Sequence, residues 1–412
     1  MNIGILTYHC VPNFGAQLQT LSTVCYLRNQ GHEPIVLHWY PKDLEELYGW
    51  TPTAQIEAHN SFSSAYFPLS TLCRTEDELI GEIDKLQLDA ILLGSDALFK
   101  YVPILRRVYL KMGKRRPHLV FEKVPSVERL QHNPFFGDFI SKLNHSIPVS
   151  VYAVSSQNAP YTSMIRSEKL RMKEYMSNFK FISVRDTWTQ KMVETITGDS
   201  QIAIYPDPVF AFNQNVGKHI PSKDDIIRKF DIDRDYVLLS FWTDNCSDEY
   251  IQSLADEVRK YGLQPIMLTM PEGLRYQGTE KAISIPLSPM DWFALIKYAS
   301  GYIGERMHPI VVSLHNAVPC FAFDEYGASK LKKVIFPRIG KWDKDKSKTY
   351  YIMSAAGFEN NWFAYGSNLP LPLPKVVVGK VLAFDKQRCL NFASQQYICY
   401  ETGMQTVLNT FI

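Results

Sequence analysis

The densest run of reactive side chains in this 412-residue chain is Glu305-Arg306-Met307-His308-Pro309. An acid, a guanidinium and an imidazole this close together could bind an anion and move a proton. Arginine offers a planar fork to carboxylate or phosphate, and histidine titrates near neutral pH. Tyr302-Ile303 reads as the end of a buried strand, and Val311, Val312 and Leu314 as the apolar face of a helix. Pro309 fits the first helical position, where a missing N–H costs nothing. Residues 318–323 then return as a strand. The three groups sit where a strand hands over to a helix. Ligands bind there in open α/β sheets, and helix N-termini favour anions. A helix cap with a surface salt bridge is the competing reading.

Four more clusters occupy the same kind of position. Asn13-Phe14-Gly15-Ala16-Gln17-Leu18-Gln19 follows the first strand; Asn13 can cap a helix and Gly15 lets another group approach the backbone. The competing reading is a simple cap, with Gln17 and Gln19 on a solvated helix surface. Gly94-Ser95-Asp96 follows an apolar strand and would suit a sugar or a phosphate, or only a turn. Ser155-Ser156-Gln157 has the same standing. In Ser183-Val184-Arg185-Asp186, Arg185 could hold a carboxylate or phosphate, or pair internally with Asp186 or Asp207. Asp207-Pro208 reads as an exit turn. Arg185, Arg306 and His308 together would neutralise a small anion without a metal ion. The dinucleotide fingerprint and the P-loop are both absent.

Bulk composition narrows the classes. The length suggests two or three domains, and a net charge of +2 gives nucleic acid no electrostatic handle. The seven cysteines form no C-x-x-C pair, which argues against zinc and for a reducing compartment. No apolar run is long enough to span a membrane, and no signal-peptide pattern precedes the first strand. A cytoplasmic protein is expected.

The elements that must position these groups alternate. Strand patterns at 3–6, 34–39, 90–93, 149–154, 179–184 and 201–205 are followed by a second series at 236–242, 264–270, 302–303 and 318–323. Helical spacing fills the intervals, at 15–29, after Tyr250 and from Ser288 to Ala299, and alternation implies parallel sheets. The pattern predicts two doubly wound α/β domains facing a cleft. They span 1–215 and 230–384, with an irregular, lid-like insertion near 97–146. A helical segment at 385–412 is expected to cross back to the first domain. Strand ends of both sheets should then aim the motifs into one gap.

The ordered set at 13–19, 94–96, 183–186, 207–208 and 306–308 resembles the polysaccharide pyruvyl transferase family. The likeness covers roughly residues 1–330. It implies a GT-B-like pair of Rossmann-like domains and transfer of a pyruvyl group from phosphoenolpyruvate, as donor substrate, to sugar hydroxyls as a ketal. The acceptor would be a sugar or lipid-linked glycan of a capsule or exopolysaccharide, met at the membrane periphery if lipid-linked. No metal, cofactor or nucleic acid is expected. The resemblance implicates Arg185 and His308 in donor binding or catalysis. Arg306 would help hold the donor, and Asp96 or Glu305 would act on the acceptor hydroxyl. Asn13, Gly15, Gln17, Gly94, Ser95 and Ser155 complete the expected site. Phe99 and Pro309 depart from the family's usual residues. A nucleotide-sugar glycosyltransferase, with its diphosphate near Ser313 or Lys330, and a non-catalytic glycan-assembly protein are the alternatives.

Overall fold

The computed structural model describes residues 1–112, 116–279, 281–324, 344–367 and 369–412. Its first half is a parallel sheet of β1 (Asn2–Leu6), β2 (Glu33–Val36), β3 (Ala90–Asp96), β4 (Val149–Val154), β5 (Phe181–Val184) and β6 (Ala203–Ile204), in the order β2-β1-β3-β4-β5-β6. The second half repeats the design with β7 (Tyr236–Ser240), β8 (Gln264–Leu268), β9 (Lys281–Ile283), β10 (Gly301–Glu305), β11 (Cys320–Asp324) and β12 (Trp362–Ala364), in the order β9-β8-β7-β10-β11-β12. Both are Rossmann-like.

The strands are apolar on both faces because helices cover both sides. In β3, Ala90 and Leu92 enter one core while Ile91 and Leu93 enter another, as a side-chain period of two requires. The first of these cores is shared between the halves. It takes Ile3 and Leu92 from the first sheet, Leu238 and Tyr302 from the second, and the helices between them.

The helices that position the site are α1 (Phe14–Asn29), α2 (Thr53–Tyr66), α3 (Pro289–Lys297), α4 (Met307–His315), α5 (Lys348–Ala355) and α6 (Lys386–Asn409). Asn13 caps α1 by accepting from the Ala16 N–H at 3.2 Å, and Ser288 caps α3 through the Asp291 N–H. Phe14 of α1 stacks on Trp292 of α3 with ring centroids 5.1 Å apart. Gln55 of α2 makes a two-way bond with the Leu287 backbone, 2.8 Å each way. α6 runs back over the first half. Its Cys389 thiol bonds the Leu314 carbonyl, its Tyr400 packs edge-on against Tyr26 and Tyr152, and Thr410 beyond its end bonds Ser150 of β4.

The stretch 97–146 is less open than its sequence suggests. It carries a short hairpin of Val108–Met112 with Pro117–Phe121. Phe99, Phe135, Phe136 and Phe139 are fully buried, and Phe99 stacks on Phe136 at 5.2 Å. Aromatic residues without periodicity thus hide a piece of core here.

Candidate active site

Arg185 follows β5 directly and is 4% exposed. Its Nη1 donates to Asp207 Oδ2 at 2.7 Å and its Nη2 to Asp96 Oδ1 at 3.3 Å. Asp96 ends β3, with φ at 126°, and its Oδ1 also accepts from the Ala97 N–H. Asp207 Oδ2 accepts in addition from Gln19 Nε2 of α1 at 2.5 Å, while Oδ1 caps the next turn through the Val209 N–H. An arginine this deep is tolerated because carboxylates meet both ends of its fork. Burial pushes the Asp96 carboxyl up, but Arg185, His308, Lys348 and Lys100 outweigh it and hold it below the ordinary carboxylate value.

His308 comes to this cluster from the other half. α4 begins at Met307, so His308 is its second residue and Pro309 its third. The proline is therefore two positions later than the sequence reading puts it, still within the first turn, where an N–H has no helical acceptor. Gly15 is the second residue of α1. A Cβ on Gly15 would lie 2.0 Å from His308 Cγ, so the imidazole rests on the bare backbone of the α1 first turn. Two helix N-termini thus meet at one histidine. Burial drives the His308 pKa down to about 4; Arg185 and Lys348 push the same way against Asp96 and Asp207. The ring is neutral at pH 7, and its Nε2 is buried without a hydrogen-bond partner.

Two lysines complete the cluster. Lys348 is the first residue of α5, and burial, with Arg185 next, lowers its pKa to about 8. Lys100 lies nearby with its ammonium 5.1 Å from the Tyr8 ring centroid, and burial lowers its pKa as well. A cavity of about 170 Å³ opens beside Arg185, Asp207 and Lys348, and Met307, Tyr351 and Gln396 also line it.

A family model described as polysaccharide pyruvyl transferase matches residues 13–325, which span Gly15, Asp96, Arg185, Asp207 and His308. The chain belongs to that family. No curated protein matches it in sequence. Among solved structures it is similar to Arabidopsis thaliana UGT89C1 complexed with UDP-L-rhamnose, at 10% identity and a TM-score of 0.51, covering 100% of this chain and 99% of that one. It is also similar to UDP-N-acetylglucosamine 2-epimerase from Rickettsia bellii, at 12% identity and a TM-score of 0.50, covering 100% and 96%. These likenesses show the fold, two Rossmann-like domains of GT-B type.

Within this family member the expected residues divide. Asp96, Arg185, His308 and Gly15 come together, with Asn13 capping the helix that carries Gly15. Glu305 is committed elsewhere. It accepts from the Trp242 and Thr243 N–H groups at 2.7 and 2.9 Å, from Thr243 Oγ1 at 2.6 Å and from Tyr365 OH at 2.7 Å. Arg306, the α4 cap at φ 72°, pairs with Glu272 and lies over the Trp242 ring. Gln17 is fully buried and spends its amide on His59, Ser63 and the His9 carbonyl. Gln19 is buried too, so the solvated-surface reading of both glutamines is corrected: every residue of α1 from Phe14 to Val24 is buried.

The serines are structural. Ser95 Oγ donates to the Ala153 carbonyl, Ser155 Oγ to Asp186, and Ser313 Oγ back to the Pro309 carbonyl. Asp186, offered as a partner of Arg185, instead caps the helix Thr187–Thr197. Gly94, at φ +126°, is required because a Cβ would meet the Tyr152 carbonyl oxygen at 2.1 Å. Lys330 lies outside the described residues. Sequence reasoning passed over Gln19, Lys100 and Lys348. The Ser347-Lys348 step carries a helix-cap signal that could have drawn attention to the last. Among the described residues no group of three His, Cys, Asp or Glu side chains is placed to hold a metal ion.

Proposed function

We propose that this protein transfers the pyruvyl group of phosphoenolpyruvate to sugar hydroxyls of a glycan or lipid-linked oligosaccharide and closes a pyruvate ketal. One observation carries the reading: His308 of the second half lies on Gly15 of the first, within electrostatic reach of Arg185, Asp96, Asp207 and Lys348.

The reaction needs three things from such a site. A proton must be delivered to the methylene carbon, which leaves oxocarbenium character on the carbon bearing phosphate. One sugar hydroxyl then adds to that carbon and loses its proton. The carbon–oxygen bond to phosphate then breaks, inorganic phosphate departs with the bonding pair, and a second hydroxyl bonds to that carbon, loses its proton and closes the ring. His308 suits the first step once the donor is present. Neutral in the free protein, it would gain a proton when a multiply charged anion arrives beside it. Asp96 is held ionised and suits acceptance of a hydroxyl proton. The helix N-termini and Lys348 favour the anion. A lipid-linked acceptor would be reached at a membrane surface from the cytoplasm, and no helix among the described residues is long and apolar enough to cross a membrane.

A nucleotide-sugar transferase would place a diphosphate on the second sheet. There the Glu305 carboxylate stands at the β10 end, beside the crevice between β7 and β10, and would repel it. The test is incubation with phosphoenolpyruvate and a panel of sugars, reading phosphate release and product mass. Acceptor-dependent phosphate with a ketal product supports the reading. Glycosyl transfer from a nucleotide sugar without phosphate release overturns it.

A further inference from the structure

We propose that Lys348 is the side chain that holds the donor's phosphate, in a pocket completed by α5 and α6 from outside the family-matched span. This rests on the phosphoenolpyruvate reading above and goes further by naming where the negative charge is taken.

Arg185 is the obvious anion-binding residue, but both ends of its fork are already met by Asp96 and Asp207. Arg306 is already met by Glu272. Lys348 has no carboxylate within ion-pair distance among the described residues, and it lines the cavity beside Arg185 and Asp207. Lys100 also lacks such a partner but does not line that cavity; its ammonium is turned to the Tyr8 ring. A half-buried ammonium without a counter-ion pays desolvation with no return until an anion arrives.

The lysine is also held in place. Ser347 caps α5 through the Tyr350 N–H at 2.9 Å and bonds the Asp324 carboxylate at the end of β11. Lys346 lies over the Trp188 ring of the first half, 5.3 Å from its centroid. The segment therefore spans from the second sheet to the first and delivers Lys348 to Arg185. On the far side, Gln396 and Cys399 of α6 form part of the pocket wall. Residues 13–325 include neither α5 nor α6, so the matched span alone leaves this wall open. The groups acting on Lys348 are Arg185, Asp96, Lys100 and Asp186, with His308 beside them.

The test is calorimetric titration of the full chain with phosphoenolpyruvate, inorganic phosphate and pyruvate, for wild type, Lys348→Met, Lys348→Gln and Lys348→Arg. The two neutral variants should weaken phosphoenolpyruvate and phosphate about 10- to 100-fold, the range for losing a charged hydrogen bond, and leave pyruvate nearly unchanged. Arg should retain most of the affinity. Wild-type phosphate affinity should fall above pH 8 while the arginine variant stays flat. Neutral variants that fold, judged by circular dichroism, and bind phosphoenolpyruvate like wild type overturn the proposal. Wild type that binds phosphate but not phosphoenolpyruvate discards the donor reading and still tests Lys348 through the phosphate arm.

Discussion

The two sheets end in different ways at their carboxyl edges. In the first half the edge holds an ionic group, Arg185 between Asp96 and Asp207, that is buried yet touches an open cavity. In the second half, Glu305 closes the corresponding edge with four hydrogen bonds to Trp242, Thr243 and Tyr365. The same Rossmann-like geometry therefore gives a site in one half and a staple in the other. What the second half contributes to chemistry comes from its helix starts, His308 and Lys348, which reach across to the first. A switch point offers a crevice by topology, but whether a ligand can enter depends on which side chain already occupies it.

The largest effect should come from His308→Ala. Turnover should fall by about 10² to 10⁴, as for a general acid–base residue, with the fold intact. A variant keeping most of its activity would remove the second half's main contribution and break the comparison.

Next is Gly15→Ala. Alanine inside a helix ordinarily stabilises by about 1 kcal/mol over glycine. Here its Cβ would strike the His308 ring, so both melting temperature and turnover should drop. Pairing it with His308→Ala should restore the melting temperature but not the activity. Failure of that rescue would mean that His308 is not the group that needs the glycine.

Arg185→Met and Glu305→Gln separate the two edges. Removing Arg185 strands two buried carboxylates and should cost about 3–5 kcal/mol, together with donor binding. Glu305→Gln should cost about 1–3 kcal/mol, the loss of bonds to a charged acceptor, with the donor KM unchanged. Chemical denaturation and steady-state kinetics read both. A kcat loss in Glu305→Gln out of proportion to its stability loss would place the glutamate in the reaction and undo the staple.

Stability should also fall on the acid side. Burial holds His9, His59 and His315 near pKa 3 and His308 near 4. An unfolded chain binds their protons from about pH 6.5, so stability should be full above that value and fall progressively toward pH 4. A melting temperature flat across that window would show that these imidazoles are not buried neutral.

Much was legible in the chain. The strand patterns at 90–93 and 318–323 are continuous apolar runs and that at 149–154 is broken only by Ser150, as strands covered on both faces require. Asn13 and Ser288 announce helix starts by their side-chain chemistry. The positions of Arg185 and His308 beyond strand ends followed from that alternation. Local pattern says where a side chain begins, not what it meets. Asp207 reads as a turn residue or a partner of Arg185 and is both, but nothing local shows that it also takes Gln19 from 188 positions away. Glu305 reads as an acid free for chemistry until Trp242, Thr243 and Tyr365 close around it. Gln17 reads as a substrate contact, or with Gln19 as solvated surface, but α1 is buried from Phe14 to Val24 and both amides are spent inside the protein. Lys348 carries only the helix-cap signal of Ser347, which says nothing of a charge left without a partner. The sequence alone determined the alternation, the caps and the strand ends, since each depends on a few neighbouring residues. Only the tertiary structure decided which charges are neutralised and which remain for a ligand, because ion pairing falls off within a few ångströms and those distances are set by how two sheets and a returning helix pack.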